Sequence, residues 1–117
     1  IKGTFHLDCG YYYFRNIDDR ILLGGGRNLA FTEEHTTDFS QTEKIQNALE
    51  ALLKNTILPK RDFEIEQRWS GIMGVGSQKK PIVKQLSNHV FCGVRMGGMG
   101  VAIGSVIGKE VSELSTH

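Results

Sequence analysis

The apolar residues in the first quarter of the chain predict an antiparallel hairpin. Aromatic and β-branched side chains are concentrated in residues 10–17 and 20–26, and the acidic pair Asp18-Asp19 lies between the two runs. Such runs on either side of a two-residue turn are typical of paired strands. Residues 27–39 are polar and show no sustained period, so we expect a loop there.

A helix followed by a strand is predicted for the middle of the chain. Ser40 and Glu43 have the spacing of a capping box. After them, one helical face carries the apolar residues Ile45, Ala48, Leu49, Leu52 and Leu53. A helix with such a face is expected to pack on a sheet. Apolar and charged residues then alternate from Phe63 to Trp69, which predicts a strand with one face in water.

The last third of the chain predicts a buried strand, a glycine-rich turn and a helix. Residues 90–94 form the short, continuous apolar run that is typical of a buried strand. In the helix that follows the turn, glycine recurs at Gly100, Gly104 and Gly108. This spacing places the three glycines on one face, where another backbone can come close. We expect that face to pack against a sheet or against a domain outside this chain.

Together these elements predict an α+β fold with an antiparallel sheet and two main helices. A chain of 117 residues is long enough for one domain with a modest core, so we expect residues 1–117 to form a single module. Because the chain starts at Ile1 and enters strand-like sequence at once, we expect it to be a piece of a larger protein. Apolar surface exposed at the cut would favour self-association.

Composition narrows the range of partners. The 14 Lys and Arg residues nearly balance the 13 Asp and Glu residues, so charge gives no reason to expect a nucleic acid partner. No apolar stretch reaches the ~20 residues that a membrane-spanning helix needs. The two cysteines, Cys9 and Cys92, are far apart, which favours reduced thiols in a soluble, cytoplasmic protein over a disulfide scaffold. The four histidines have no spacing typical of a metal site.

The candidate for ligand binding is the turn between the last strand and the last helix. Its residues are Gly97, Gly98, Met99, Gly100 and Val101. A strand-to-helix turn without Cβ atoms directs free backbone N–H groups at one spot and lets a ligand approach the main chain. Arg95 adds a permanent positive charge beside it. The alternative is a tight turn that serves packing alone.

The order of motifs from Gly10 to Leu114 resembles the C-terminal part of FAD-dependent oxidoreductases of the D-amino-acid oxidase and glycine oxidase family. The resemblance rests on the order of five features: the hairpin that ends in a glycine cluster, the loop and helix after it, the stretch 68–74 (RWSGIMG), Pro81-Ile82, and the strand and helix from 93 to 108. The resemblance implies that the chain comprises the end of the substrate domain and the last strand and helix of the FAD domain in a two-domain flavoprotein.

The resemblance also implies a missing partner segment. Members of the family hold FAD with a βαβ unit carrying G-x-G-x-x-G, and this sequence has no such motif. We therefore expect the N-terminal FAD-binding part to lie upstream in the same protein. Without it, the chain is not expected to hold FAD or to turn over a substrate.

Roles for individual residues follow from the resemblance alone. The turn 97–101 matches the segment that meets the flavin. Arg68 and Arg95 match positions from which an arginine can pair with a substrate carboxylate. A hairpin tyrosine, Tyr11 or Tyr13 on one face or Tyr12 on the other, is expected to add a hydroxyl. The alternatives are a solvated charge at Arg68, near Glu64 and Glu66, and core packing of the tyrosines.

For the full-length protein, the resemblance implies hydride transfer to FAD from the amine-bearing carbon of an amino acid or related amine, with a hydroxyl-bearing carbon as the alternative. Positioning is expected to supply most of the catalysis. No catalytic base is evident in this sequence. Two other classes remain open, namely a stand-alone module that binds a small anion, and a structural or interaction domain that binds no small molecule.

Overall fold

Two antiparallel sheets organise the chain, and each belongs to a separate compact unit. The computed structural model describes residues 1–117 and divides into Ile1–Gly71 and Ile72–His117. The first unit contains a three-stranded sheet and one main helix, and the second contains a two-stranded sheet and the other helix. The predicted α+β class with antiparallel pairing and two main helices is therefore confirmed.

The sheet of the first unit is built around the predicted hairpin. Its strands are β1 (Thr4–Leu7), β2 (Tyr12–Ile17) and β3 (Arg20–Gly25), in the order β1-β2-β3. Ile17 lies opposite Arg20, so Asp18 and Asp19 alone form the turn. Asp18 has a φ of +54°, a left-handed conformation that Asp tolerates better than most residues. The predicted hairpin and the position of its turn are confirmed.

Helix α1 (Glu43–Leu52) supplies the apolar face that the sequence predicted, but its start differs from the prediction. Ile45 is buried, and the other predicted apolar positions are half-buried. The capping box at Ser40 is wrong, because Thr42 is the N-cap and the helix begins directly after it. The Thr42 hydroxyl donates a hydrogen bond to Glu34 in the preceding loop. It makes no capping hydrogen bond to the first turn of the helix.

The segment after α1 corrects a second prediction. A short π-helix continues α1 over Leu53–Ile57, and no helix or strand follows until residue 82. The strand predicted for 63–69 is wrong, because none of the strands pairs with that segment and alternation alone supplies no partner. Side chains attach it instead: Glu66 pairs with Arg20 at 3.2 Å, and Arg68 reaches helix α1.

The second unit is a hairpin covered by one helix. Strand β4 (Ile82–Ser87) pairs with β5 (Val90–Val94), and helix α2 (Gly100–Ser115) packs on both strands. The strand prediction for 90–94 is confirmed, but its burial is not. Both end residues, Val90 and Val94, are about half exposed, because the sheet has only two strands and α2 is the one helix packed on it.

Helix α2 contacts β5 through Ile107 and Val111, which lie beside Gly100 and Gly104 on the helix surface. A Cβ on Gly93 would lie 2.6 Å from Cγ2 of Ile107 and 2.9 Å from Cγ2 of Val111, so these two side chains rest on bare backbone. Cβ atoms on Gly104 or Gly108 would meet nothing within 4 Å. The close approach expected at Gly104 and Gly108 is therefore not made within this chain, and packing of these glycines on another domain stays a prediction. Neither α1 nor α2 is long and apolar enough to cross a membrane.

We expect Gly93→Ala to destabilise the second unit by about 1–3 kcal/mol, because the new methyl must push apart a strand and β-branched side chains that move little. Urea unfolding of the purified protein measures the change. Gly104→Ala is the matched control. It adds the same methyl in open space and should leave stability equal or higher by up to about 1 kcal/mol, as alanine favours a helix. Equal effects of the two variants would contradict this account of the packing.

Candidate functional site

The turn between β5 and α2 is built largely from left-handed backbone. Arg95, Gly97 and Gly98 have φ values of +61°, +58° and +85°. The turn closes with a hydrogen bond from the Met99 N–H to the Met96 carbonyl at 2.9 Å. Glycine occupies two of the three left-handed positions because that conformation is strained for residues with a Cβ. The chain thus reverses within a few residues and enters the helix directly.

Several N–H groups at the start of α2 remain without a hydrogen-bond acceptor. The amides of Ala102 and Ile103 both donate to the Met99 carbonyl, whereas those of Gly98, Gly100 and Val101 donate to no protein group. Helix N-termini attract anions because free N–H groups and the positive end of the helix dipole coincide there. Helix α2 has sixteen residues, so its aligned peptide dipoles place a partial positive charge at this end. The turn therefore presents three donors to a negatively charged or electron-rich group.

A neighbouring segment that sequence reasoning did not associate with the turn holds it in place. The Gly97 N–H donates to the Gly74 carbonyl at 3.1 Å. A Cβ on Gly74 would lie 3.3 Å from the Cα of Arg95, so the two backbones are nearly in contact. We call residues 74–80 the strap. Gly74 and Gly76 are its only signal in the sequence.

Arg95 links the strap to the end of β5. Its Nε and Nη2 atoms donate to the Lys80 carbonyl at 3.1 and 2.9 Å, and its side chain is half-buried. No carboxylate forms an ion pair with it. A carbonyl orients a guanidinium without neutralising its charge. A positive charge that is not compensated by an acidic side chain therefore lies two residues before Gly97.

Arg68 has a different environment. Its Nη1 donates to Oε1 of Gln46 at 2.6 Å, and its Nη2 pairs with Oε1 of Glu50 at 2.5 Å. Both partners lie on helix α1. The charge of Arg68 is thus balanced, and the balancing group is neither of the glutamates that are close to it in sequence.

The two tyrosines proposed for substrate contact have separate neighbours. Tyr11 meets Phe31 edge to face at 5.8 Å, and the guanidinium of Arg27 lies over both rings. The Tyr13 ring lies against Gly24, where a Cβ would be 2.7 Å from it, and its other neighbour is His6. Neither tyrosine hydroxyl bonds to Arg68. Within the first unit, the structure does not gather these residues into one cluster.

Methionine sulfur lines the glycine turn, which sequence reasoning missed. The Sδ atom of Met73 lies 3.1 Å from the position of a Cβ on Gly98, and the Sδ of Met96 lies 3.6 Å from that of Gly100. Met99 is exposed within the turn. The chain has three methionines, and all of them border the turn. Thioethers are polarisable and conformationally adaptable. The methionines therefore form an apolar surface next to the free N–H groups of the turn.

Comparison with known proteins identifies one family. The family model named DAO, described as FAD dependent oxidoreductase, matches residues 2–114. No curated protein and no solved structure matches the chain. The match covers both units, including the glycine turn, Arg95 and the strap.

Glu50→Gln removes the carboxylate that balances Arg68. Because both side chains are more than a third exposed, we expect the free energy of unfolding to fall by less than about 1 kcal/mol. Urea unfolding at low and high salt measures it, and the difference should shrink at high salt. Glu64→Gln is the control, since Glu64 has no ion-pair partner. A loss of several kcal/mol would mean that the Arg68 pair is a main support of the first unit.

Proposed function

The chain belongs to the FAD-dependent oxidoreductase family, and from that premise we propose that the full-length protein oxidises an amino acid or a related amine. The observation that carries the proposal is the turn 97–101, which combines three unpaired N–H donors, a helix N-terminus and the charge of Arg95. A flavin ring gains negative charge when it is reduced, and such a turn stabilises that charge.

The residues of the turn fit the edge of a flavin ring. A Cβ on Gly97 would meet nothing within 4 Å, so the bare backbone there leaves room for a flat ring. We assign cofactor contact to Gly97, Gly98, Met99, Gly100 and Val101. FAD supplies the hydride acceptor. The chain's contribution is to orient the ring and to hold N–H donors where negative charge increases.

The arginines support an amino-acid substrate. We propose that either Arg95 or Arg68 pairs with the substrate carboxylate, and that Tyr11 or Tyr13 supplies a hydroxyl to the substrate. Arg95 is the more available of the two, because a neutral carbonyl leaves its charge unbalanced. Arg68 would have to exchange Glu50 for the substrate, which costs one ion pair and gains another.

FAD retention needs more than the turn. The sequence has no G-x-G-x-x-G motif to hold the pyrophosphate at a helix N-terminus. We propose that an N-terminal part of the same protein supplies that unit and that this chain alone binds FAD weakly or not at all. The chain then provides the flavin-ring side of the cofactor site and part of the substrate side.

The first test is the visible absorption spectrum of the purified full-length protein, beside that of this chain mixed with excess FAD. We expect bound flavin in the full-length protein only, and loss of its colour when the right amino acid or amine is added without oxygen. A full-length protein that carries flavin but is not reduced by any amine in a broad panel would contradict the substrate class. Absence of flavin even with excess FAD would favour a module that binds simple anions instead.

Gly98→Ala should weaken FAD binding by the full-length protein roughly tenfold, because alanine resists the left-handed conformation and its methyl would meet the sulfur of Met73. Titration of the flavin-free protein with FAD measures the affinity. Gly108→Ala is the matched control, since it adds a methyl in open space on helix α2, which follows the turn. Equal affinities for both variants would remove the turn from the cofactor site.

A further inference from the structure

We infer that Arg95 is a positioning residue that fixes the direction of the free N–H groups in the glycine turn by tying the strap to it. This role is separate from its charge. The inference has two halves. The structural half, that Arg95 holds the turn in place, concerns residues 74–101 alone, and the functional half, that this orients donors toward a flavin, rests on the proposed function. Three observations in the second unit support it.

The first observation is that both hydrogen bonds of Arg95 end on one backbone oxygen. Its Nε and Nη2 converge on the Lys80 carbonyl, which lies fifteen residues earlier in the chain. Two donors from a planar guanidinium fix the direction of the side chain far better than one rotating ammonium donor does. The end of β5 is thereby joined to the end of the strap.

The second observation is that the other end of the strap bonds to the turn itself. The Gly74 carbonyl accepts from the Gly97 N–H at 3.1 Å, so that amide is withdrawn from any ligand. The next three amides without a partner are those of Gly98, Gly100 and Val101. The strap therefore occupies the Gly97 amide and anchors the turn at the residue before these free amides.

The third observation is the fit between Arg95 and the strap. A Cβ on Gly76 would lie 2.9 Å from Cδ of Arg95 and 3.0 Å from its Nη1, so the side chain lies directly on that glycine. Arg95 itself is left-handed, with a φ of +61°. A residue with a Cβ keeps this unfavourable conformation only where surrounding contacts hold it. The bonds to Lys80 supply such contacts.

Gly76→Ala separates position from charge, because it displaces the flexible end of Arg95 and keeps the guanidinium. Gly71→Ala is the matched control, as a Cβ there meets nothing within 4 Å. Arg95→Lys keeps the positive charge but has no planar pair of donors. Hydrogen exchange of the flavin-free full-length protein, followed by mass spectrometry, reports protection of the peptide that contains Gly97.

We expect Gly76→Ala and Arg95→Lys to raise the exchange rate of that peptide about tenfold, with unchanged exchange in β1–β3 and α1. Gly71→Ala should match the wild type. Unchanged exchange in both Gly76→Ala and Arg95→Lys would overturn the positioning role, whatever the fate of the flavin proposal. A rise spread over all elements would also overturn it, because that would indicate general destabilisation.

FAD titration of the same variants tests the functional half. We expect Gly76→Ala to weaken FAD binding about tenfold and to shift the visible spectrum of the bound flavin, since the donors at its edge are redirected. Faster exchange in Gly76→Ala with a normal FAD affinity and spectrum would mean that the Arg95–Lys80 hydrogen bonds hold the strap but do not orient the N–H donors toward the flavin. If the wild type binds no FAD, the proposed function fails, and the exchange result still decides the structural half.

Discussion

The close approach of helix α2 to bare backbone at Gly93 is the constraint on which the second unit depends. Ile107 and Val111 rest where a side chain would otherwise stand, so the helix axis is set by contact with the strand. The second unit consists of a two-stranded sheet and one helix, so no further helix or sheet packs against them to hold the helix in place if that contact is lost. The position at which the helix starts follows from where its middle packs on the strand.

In the first unit, long-range side-chain contacts replace regular structure where the chain lacks a partner strand. Phe5 stacks on Phe14 at 4.7 Å across neighbouring strands, and Phe14 is one of the few buried residues. The segment after α1 has no such partner. Arg20 and Arg68 attach it through ion pairs that are partly in solvent. No strand covers the segment, and its apolar residues Phe63, Ile65 and Trp69 remain exposed.

Local signals predicted the elements whose stability is local. The acidic pair at 18–19 located the hairpin, apolar spacing located α1, and the glycine-rich turn located the start of α2. The strand at 63–69 failed because alternation describes a strand's faces and says nothing about its neighbours. The capping box failed because Thr42, not Ser40, is the N-cap. The strap escaped notice because its contacts are made by backbone carbonyls at Gly74 and Lys80, which leave no trace in side-chain pattern.

The π-helix at the end of α1 changes the angle around the helix axis at which the side chains of Leu53–Ile57 lie. Ile57 follows Ile45 by twelve residues, which in an α-helix of 3.6 residues per turn would place it about 120° away around the axis. The bond from the Leu58 amide to the Leu53 carbonyl spans five residues, so each residue there turns through a smaller angle. The lag rotates Ile57 back toward the side of Ile45, and both are buried. The widened turn thus acts as a phase correction that extends the apolar face of α1 by one further anchor.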